Sequence, residues 1–321
     1  MKGFIKDKFP QLFKLAKRLK GVDYNLLIGL PKIKNSDFKT PVISLEEGNN
    51  FIYNQLISDK PCFITRYGSA ELSAIVNYLF LKKGKVSSWD LQKINGGLFR
   101  MNALFPATIN TLNQFVELYL QSSKSIDALA VWYNFGEHLL HKDIFPNGTL
   151  FPIESLEPFR FTNPWSYALY GKKVLIVLPF EQSIIKQYEK RNLLFSNRKV
   201  LTDFELKAYK PFNSYTDKPA LGKDWFYYLS KMEEDIALID FDVALIAAGP
   251  FGLPLAASVK KSGRKAVHVG GALQLLFGIK GNRWEERPEF VAYMNEYWIK
   301  PAANEIPVQE IKSKIDNSSY W

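Results

Sequence analysis

The apolar residues of this chain fall into two alternating patterns: short β-branched runs that break at glycine, and longer segments with helical spacing between them. The clearest instance runs from Phe241 to Trp284. Val243 to Ala248 is an apolar run that ends at Gly249-Pro250, a helix-period segment follows from Phe251 to Lys261 and stops at Ser262-Gly263, and a second run, Lys265 to Val269, breaks at Gly270-Gly271. This predicts strand, helix and strand, a βαβ unit whose two strands end on glycines. In open α/β sheets ligands bind outside the carboxyl ends of the strands, where backbone N–H groups and helix N-termini can face an anion. Tight turns and close helix packing explain such glycines equally well.

The alternation recurs upstream. Ser44 precedes a helix over Leu45–Ser58, Pro61–Tyr67 reads as a buried strand turned by Gly68, and Ser69 can cap a helix carrying Leu72, Ile75, Val76, Leu79 and Phe80 on one face. Residues 88–102 read as helical, Pro106 opens an amphipathic helix through Leu120, and Ile126–Trp132 is a strand. Lys173–Leu178 is a strand followed by a helix over Glu181–Arg191, Phe204–Lys210 alternates like an edge strand, Trp225–Ile236 is a helix, and Phe290–Trp298 is an aromatic-rich helix. The expected fold is α/β: a Rossmann-like, mostly parallel sheet flanked by helices over residues 45–300. A basic extension and linker over 1–44 precedes it, and a polar tail over 301–321 follows.

Composition narrows the function. A chain of 321 residues with 47% hydrophobic residues can bury a large core. One cysteine, Cys62, excludes an intrachain disulfide and a cysteine-rich metal cluster, and with only three histidines a structural zinc site is not expected. With no signal peptide in the sequence, the expected location is cytoplasmic. The net charge is +10, yet residues 1–20 hold seven Lys/Arg against Asp7 alone, so most of the excess sits at the N-terminus. There Ile5, Phe9, Leu12, Phe13, Ala16 and Leu19 recur at helical spacing, although Pro10 interrupts the early part. Such a segment suits the anionic inner face of a membrane as well as it suits packing on the protein's own body. No nucleic-acid-binding motif is present, and no run approaches the ~20 apolar residues of a membrane span.

Polar residues gather after three strands. Arg66 and Glu71 flank Gly68, a cation and a carboxylate at one strand end, where the simplest reading is a structural ion pair. Glu137, His138 and His141 follow Gly136 after the next strand, with the histidines three apart as in a metal-ligand pair but without an evident third ligand. Lys280, Arg283 and Trp284 follow the strand that ends at Gly270, a composition suited to a phosphate and a flat or sugar-like ring.

The pieces TRYGSAE, VLIVLPFEQSI, ALIAAGPFGLPLA and GRKAVHVGGALQLLFGIKGNRW resemble a family of bacterial proteins encoded with surface-polysaccharide genes. Their order and spacing are also similar to glycosyltransferases of the GT-D fold, in which an R-x-G-D-x-E motif follows the first strand and a strand-Gly-Pro-helix-strand unit ends in glycine. The resemblance covers roughly residues 55–300. Arg66, Gly68 and Glu71 match the motif, and Ser69 stands where its aspartate would. The resemblance implies that the D-x-E carboxylates hold the metal of a nucleotide-sugar diphosphate, so a Mg²⁺ or Mn²⁺ site on Glu71 is weakened by the loss of one oxygen ligand. Cations can neutralise a diphosphate instead, and Lys280 and Arg283 are the first to consider.

The function these features imply is transfer of a sugar from a nucleotide-sugar donor, a UDP-sugar favoured, to a surface polysaccharide or lipid-linked glycan acceptor. Donor binding falls to Arg66, Gly68, Ser69, Gly249, Pro250, Gly252, His268, Gly270, Gly271, Lys280, Arg283 and Trp284. The base is Glu71 first and Glu181 second. Two other classes stay open: a nucleotide-dependent oxidoreductase, which lacks its G-x-G-x-x-G after any strand, and a non-catalytic, membrane-associated assembly protein.

The basic N-terminus generates an expectation of its own. Each Lys or Arg near an anionic surface contributes on the order of 1 kcal/mol, so the full chain is expected to co-sediment with anionic liposomes at low ionic strength and to come off in high salt. A chain starting near Pro41 is expected to stay in solution. Liposomes that leave the full chain in the supernatant at low salt would exclude the membrane role.

Overall fold

The computed structural model describes residues 31–82, 98, 103–214, 216–307 and 320–321. The basic segment 1–20 and, apart from Leu98, the helix expected over 88–102 lie outside the described residues. Seven strands form one sheet: β1 (Cys62–Thr65), β2 (Ala128–Val131), β3 (Thr149–Pro152), β4 (Lys173–Val177), β5 (Glu205–Tyr209), β6 (Val243–Ile246) and β7 (Lys265–His268). Their order is β3-β2-β1-β7-β6-β4-β5, and every pairing is parallel. The helices that cover it are α1 (Leu45–Ile57), α2 (Ser69–Lys82), α3 (Ile109–Ser123), α4 (Glu137–Ile144), α5 (Glu181–Glu189), α6 (Trp225–Ala237) and α7 (Gly252–Lys261).

The unbroken apolar runs of β1, β2, β4, β6 and β7 follow from burial on both faces, which is what an all-parallel sheet imposes. Successive side chains alternate between two cores: Phe63, Leu175, Ala244 and Ile246 meet α2, α3, α4, α6 and α7 on one side. Ile64, Val174, Ile176, Leu245 and Val267 meet α1, α5 and the segment after β7 on the other. The edge strand β5 is only partly covered, as its alternating sequence predicts.

Two aspartates set strand registers by the same device. Asp127, just before β2, donates its N–H to Phe63 O (3.0 Å), and its carboxylate accepts Phe63 N–H (2.7 Å). Asp242, just before β6, does likewise with Lys173, at 2.8 Å for each bond. Asp127 is further held by Lys260 of α7 at 2.7 Å, which ties the helix to the amino edge of the sheet.

At the opposite edge the chain after β2 is pinned by a buried acid. The Glu137 carboxylate accepts the N–H groups of Trp132 (3.1 Å) and Asn134 (3.3 Å), and Tyr133 between them is forced to a φ of 59°, which few non-glycine residues adopt. Lys32 closes this loop, donating to Trp132 O (2.7 Å) and Asn134 Oδ1 (2.9 Å). Burial pushes the Glu137 carboxyl up to about 7 against the backbone donors and Lys32, which favour its charged form.

Several sequence expectations need correction. Strand β3 was not expected, because a four-residue run ending in Pro152 carries little signal; as a strand at the sheet edge it tolerates that proline. The helix expected from Pro106 begins at Ile109, where the Thr108 hydroxyl caps it by accepting Thr111 N–H. The helix expected over Phe290–Trp298 is limited to Pro288–Val291, because Asn295 and the Trp298 indole donate to the Leu193 and Leu194 carbonyls and hold the chain in turns. Residues 31–44 are no bare linker: Ile33 and Ile43 donate to Tyr133 O and Leu150 O, and Phe38 is buried. A chain starting at Pro41 would lose Phe38 and Lys32, so the membrane test needs a start no later than Pro31. The polar tail is also anchored, since Glu305 and Trp321 are buried.

Asp127→Ala removes the acceptor for two donors and is expected to cost about 1–3 kcal/mol in chemical denaturation; an unchanged midpoint would mean the register is set by apolar packing alone. For Glu137 the sign follows from its raised value. Between about 4.5 and about 7 the folded state holds a proton that the unfolded state has lost, so stability falls as pH rises through that window. Relative to Glu137→Gln, the wild type is expected to lose on the order of 1–3 kcal/mol from pH 4.5 to 7. Parallel stability profiles for the two proteins would remove the buried titration.

Candidate functional site

The chain leaving β1 turns into α2 on one face of the sheet, whereas the chain leaving β7 turns into Leu273–Leu276 on the other. Neighbouring strands whose exits diverge leave a crevice between them at the carboxyl end, the place where doubly wound sheets bind ligands. Arg66 and Gly68 lie on one side of this crevice and Gly270 on the other.

The Nε–Nη2 edge of the Arg66 guanidinium abuts Gly270, whose φ is +77°; a Cβ there would fall 2.4 Å from Nη2 and 2.6 Å from Nε. Only glycine gives both that conformation and that approach. Nη1 donates to Tyr67 O at 3.2 Å, Nε is buried with no hydrogen-bond partner, and the guanidinium stands 5.6 Å from the centre of the Trp132 ring. Trp132 is itself oriented by the Glu137 loop and faces Lys32 at 5.4 Å.

Glu71, in the first turn of α2, folds back over Gly68 so closely that a Cβ there would meet its carboxylate at 1.8 Å. Burial raises the Glu71 pKa, and the Arg66 charge partly offsets this. The same carboxylate, after burial, helps to hold the Tyr119 hydroxyl well above its ordinary range. Tyr119 donates to Pro250 O at 2.5 Å, which fastens α3 to the turn after β6. In that turn Gly249 has a φ of +52° and nothing within 4 Å of where a Cβ would stand, so its backbone is open.

His268 ends β7 and is buried, with Nδ1 2.9 Å from the Thr65 hydroxyl and Nε2 against Gly252. Burial first, and the Arg66 charge second, hold the imidazole well below its ordinary range, so it is neutral. Arg66, Gly68, Glu71, Gly249, Pro250, Gly252, His268 and Gly270 therefore come together around the ends of β1, β7 and β6. Ser69 is adjacent and exposed.

Of the remaining expected site residues, Glu181 lies apart from this cluster. Glu181 follows β4, three strand spacings from β1, or about 14 Å. The amides that open α5 beside it are already occupied: Glu305 accepts Gln182 N–H (2.7 Å), Ser183 N–H (3.2 Å) and the Ser183 hydroxyl (2.5 Å). Beyond Gly271 the Tyr320 ring closes in, 2.5 Å from where a Gly271 Cβ would stand, and Arg283 donates to the Tyr320 hydroxyl at 3.4 Å. The Lys280 backbone is held by Ile299 O and by Gln274. Trp284 is buried in the core, edge-on to Tyr320, so its indole is not presented to a ligand as expected.

Tyr119, Thr65, Trp132 and Tyr320 were missed by sequence reasoning. Tyr119 reads as one more apolar residue of an amphipathic helix, and Tyr320 reaches Gly271 from a stretch that looks polar. Glu137 was legible only as a polar residue after a strand.

The chemistry of the donor set bears on the divalent metal implied by the resemblance. A Mg²⁺ or Mn²⁺ ion needs several oxygen ligands. Ser69 offers a neutral hydroxyl, which leaves Glu71 as a single carboxylate whose charge Arg66 already offsets. His141, from the expected histidine pair, gives Nε2 to Gly148 O at 2.9 Å, and His138 packs against Phe38 and Phe135. Among the described residues no three His, Cys, Asp or Glu side chains are grouped to hold a metal. The residues do not fit that ion.

Comparison with known proteins gives no matching family model and no matching curated protein. Two solved structures are similar. One, described as "the highly conserved domain of unknown function 1792" with "a distinct glycosyltransferase fold", is 13% identical, covers 81% of this chain and 82% of its own, and has a TM-score of 0.41. The other, a selenomethionine-substituted structure of domain of unknown function 1792, is 14% identical over 95% of this chain and 98% of its own, with a TM-score of 0.46. Both are likenesses of fold.

Proposed function

We propose that this chain is a glycosyltransferase that moves a sugar from a nucleotide-sugar donor, a UDP-sugar favoured, to a glycan or lipid-linked acceptor, working in the cytoplasm at the inner face of the membrane. The observation that carries the reading is the Arg66–Glu71 pair set over Gly68 and Gly270 in the crevice between β1 and β7. A cation and a carboxylate at this end of a parallel sheet suit a phosphate ligand.

Glycosyl transfer makes two demands on charge. Negative charge develops on the departing diphosphate, and the acceptor hydroxyl must lose a proton. Arg66 meets the first as a planar donor that can engage phosphate oxygens in pairs, with the open backbone at Gly249 beside it. Glu71 meets the second: burial raises its pKa toward the working range of a general base. His268, held neutral on Thr65, lines the crevice without adding a charge. A dinucleotide-dependent oxidoreductase would need a glycine-rich turn opening a helix, and here the turn after β6 holds Pro250 and a buried Phe251.

Calorimetric titration with UDP-sugars and with NAD(H) separates these classes, and heat from a UDP-sugar alone is the expected result. Glu71→Gln keeps the shape of the side chain and removes its charge. Turnover is expected to fall roughly 10²-fold with donor affinity little changed. Wild-type turnover in that variant would return Glu71 to a structural role.

A further inference from the structure

We propose that Arg66, and not a divalent cation, neutralises the donor diphosphate, so that transfer in this protein is independent of metal. The inference rests on the donor reading above and deepens it.

Three observations carry it. First, two of the acids at the carboxyl edge of the sheet are committed. Glu137 accepts the backbone N–H groups of Trp132 and Asn134, Glu305 caps the start of α5, and among the described residues no three His, Cys, Asp or Glu side chains are grouped to hold a metal. Second, the positive charge that a metal would supply is already in the crevice. A divalent ion at Glu71 would have to displace or repel the Arg66 guanidinium, whose field also reaches His268 and Tyr119. Third, Arg66 has an unspent donor: Nη1 gives one of its two N–H groups to Tyr67 O. A diphosphate oxygen can accept that second N–H as a charge-assisted bond.

The step balances without further reagents. The bond from the anomeric carbon to the diphosphate oxygen breaks, and its electron pair leaves on the nucleoside diphosphate, facing Arg66. The acceptor oxygen bonds to the same carbon, and its proton passes to the Glu71 carboxylate. Gly270 matters here because any side chain at that position would push the guanidinium out of place.

The test is calorimetric binding of UDP and of inorganic pyrophosphate to the full chain, once in excess EDTA and once in MnCl₂. Dissociation constants within about twofold of each other are expected in the two conditions. Arg66→Lys, which keeps the charge but loses the fork, is expected to bind about tenfold or more weakly in both, and Gly270→Ala, which keeps Arg66 but displaces it, is expected to weaken binding in the same direction. Binding that appears only with Mn²⁺, and disappears in Glu71→Gln, would overturn metal independence while leaving the donor reading intact. No binding of either probe by the wild type in either condition would overturn both. The wild-type comparison needs no variant to fold.

Discussion

The pairing of β1 with β7 is the contact on which the rest of this structure depends. Cys62, Phe63 and Ile64 lie against Lys265, Ala266 and Val267, across some two hundred residues of sequence, at the centre of the sheet. On one side the chain has built β2 and β3 outward from β1, and on the other it has laid down β4, β5 and β6 before returning. Closing such a contact carries a large loop entropy, repaid by burying strands on both faces. The same closure brings Arg66 to Gly270 and His268 to Thr65, so the central packing contact and the assembly of the crevice are one event.

Around that centre the protein satisfies its exposed strand and helix ends with its own carboxylates. Asp127 and Asp242 cap the amino edge, Glu137 takes loop amides after β2, and Glu305 fills the helix N-terminus after β4. In a parallel sheet several helix N-termini point to one edge, and each is a latent anion site. The one after β4 is filled from within, whereas the turn at Gly249 beside the β1–β7 crevice is open.

Aromatic packing then fixes the walls. Trp225 stacks on Phe251 at 4.5 Å, behind the turn that Tyr119 fastens, and Trp132 stands between Lys32 and Arg66. These rings hold the turns that carry the polar groups, which lets strained positions such as Tyr133 persist.

What the sequence by itself determined was the α/β class, strands β1, β2, β4, β5, β6 and β7, most of the helices, and the strand-end glycines, because apolar period and glycine breaks are local signals. Arg66, Gly68, Glu71, Gly270 and His268 were legible for the same reason. The order of the strands, and hence which strand ends share a crevice, was not: Glu181 and Glu71 look alike as acids after a strand and a turn, yet the strand order puts them three strands apart. Nor could local pattern show that Trp284 turns inward, that Glu305 returns to cap α5, or that Tyr320 covers Gly271. Those outcomes depend on long-range burial, and only the tertiary structure decides which of several equally apolar or acidic side chains is taken up by the core.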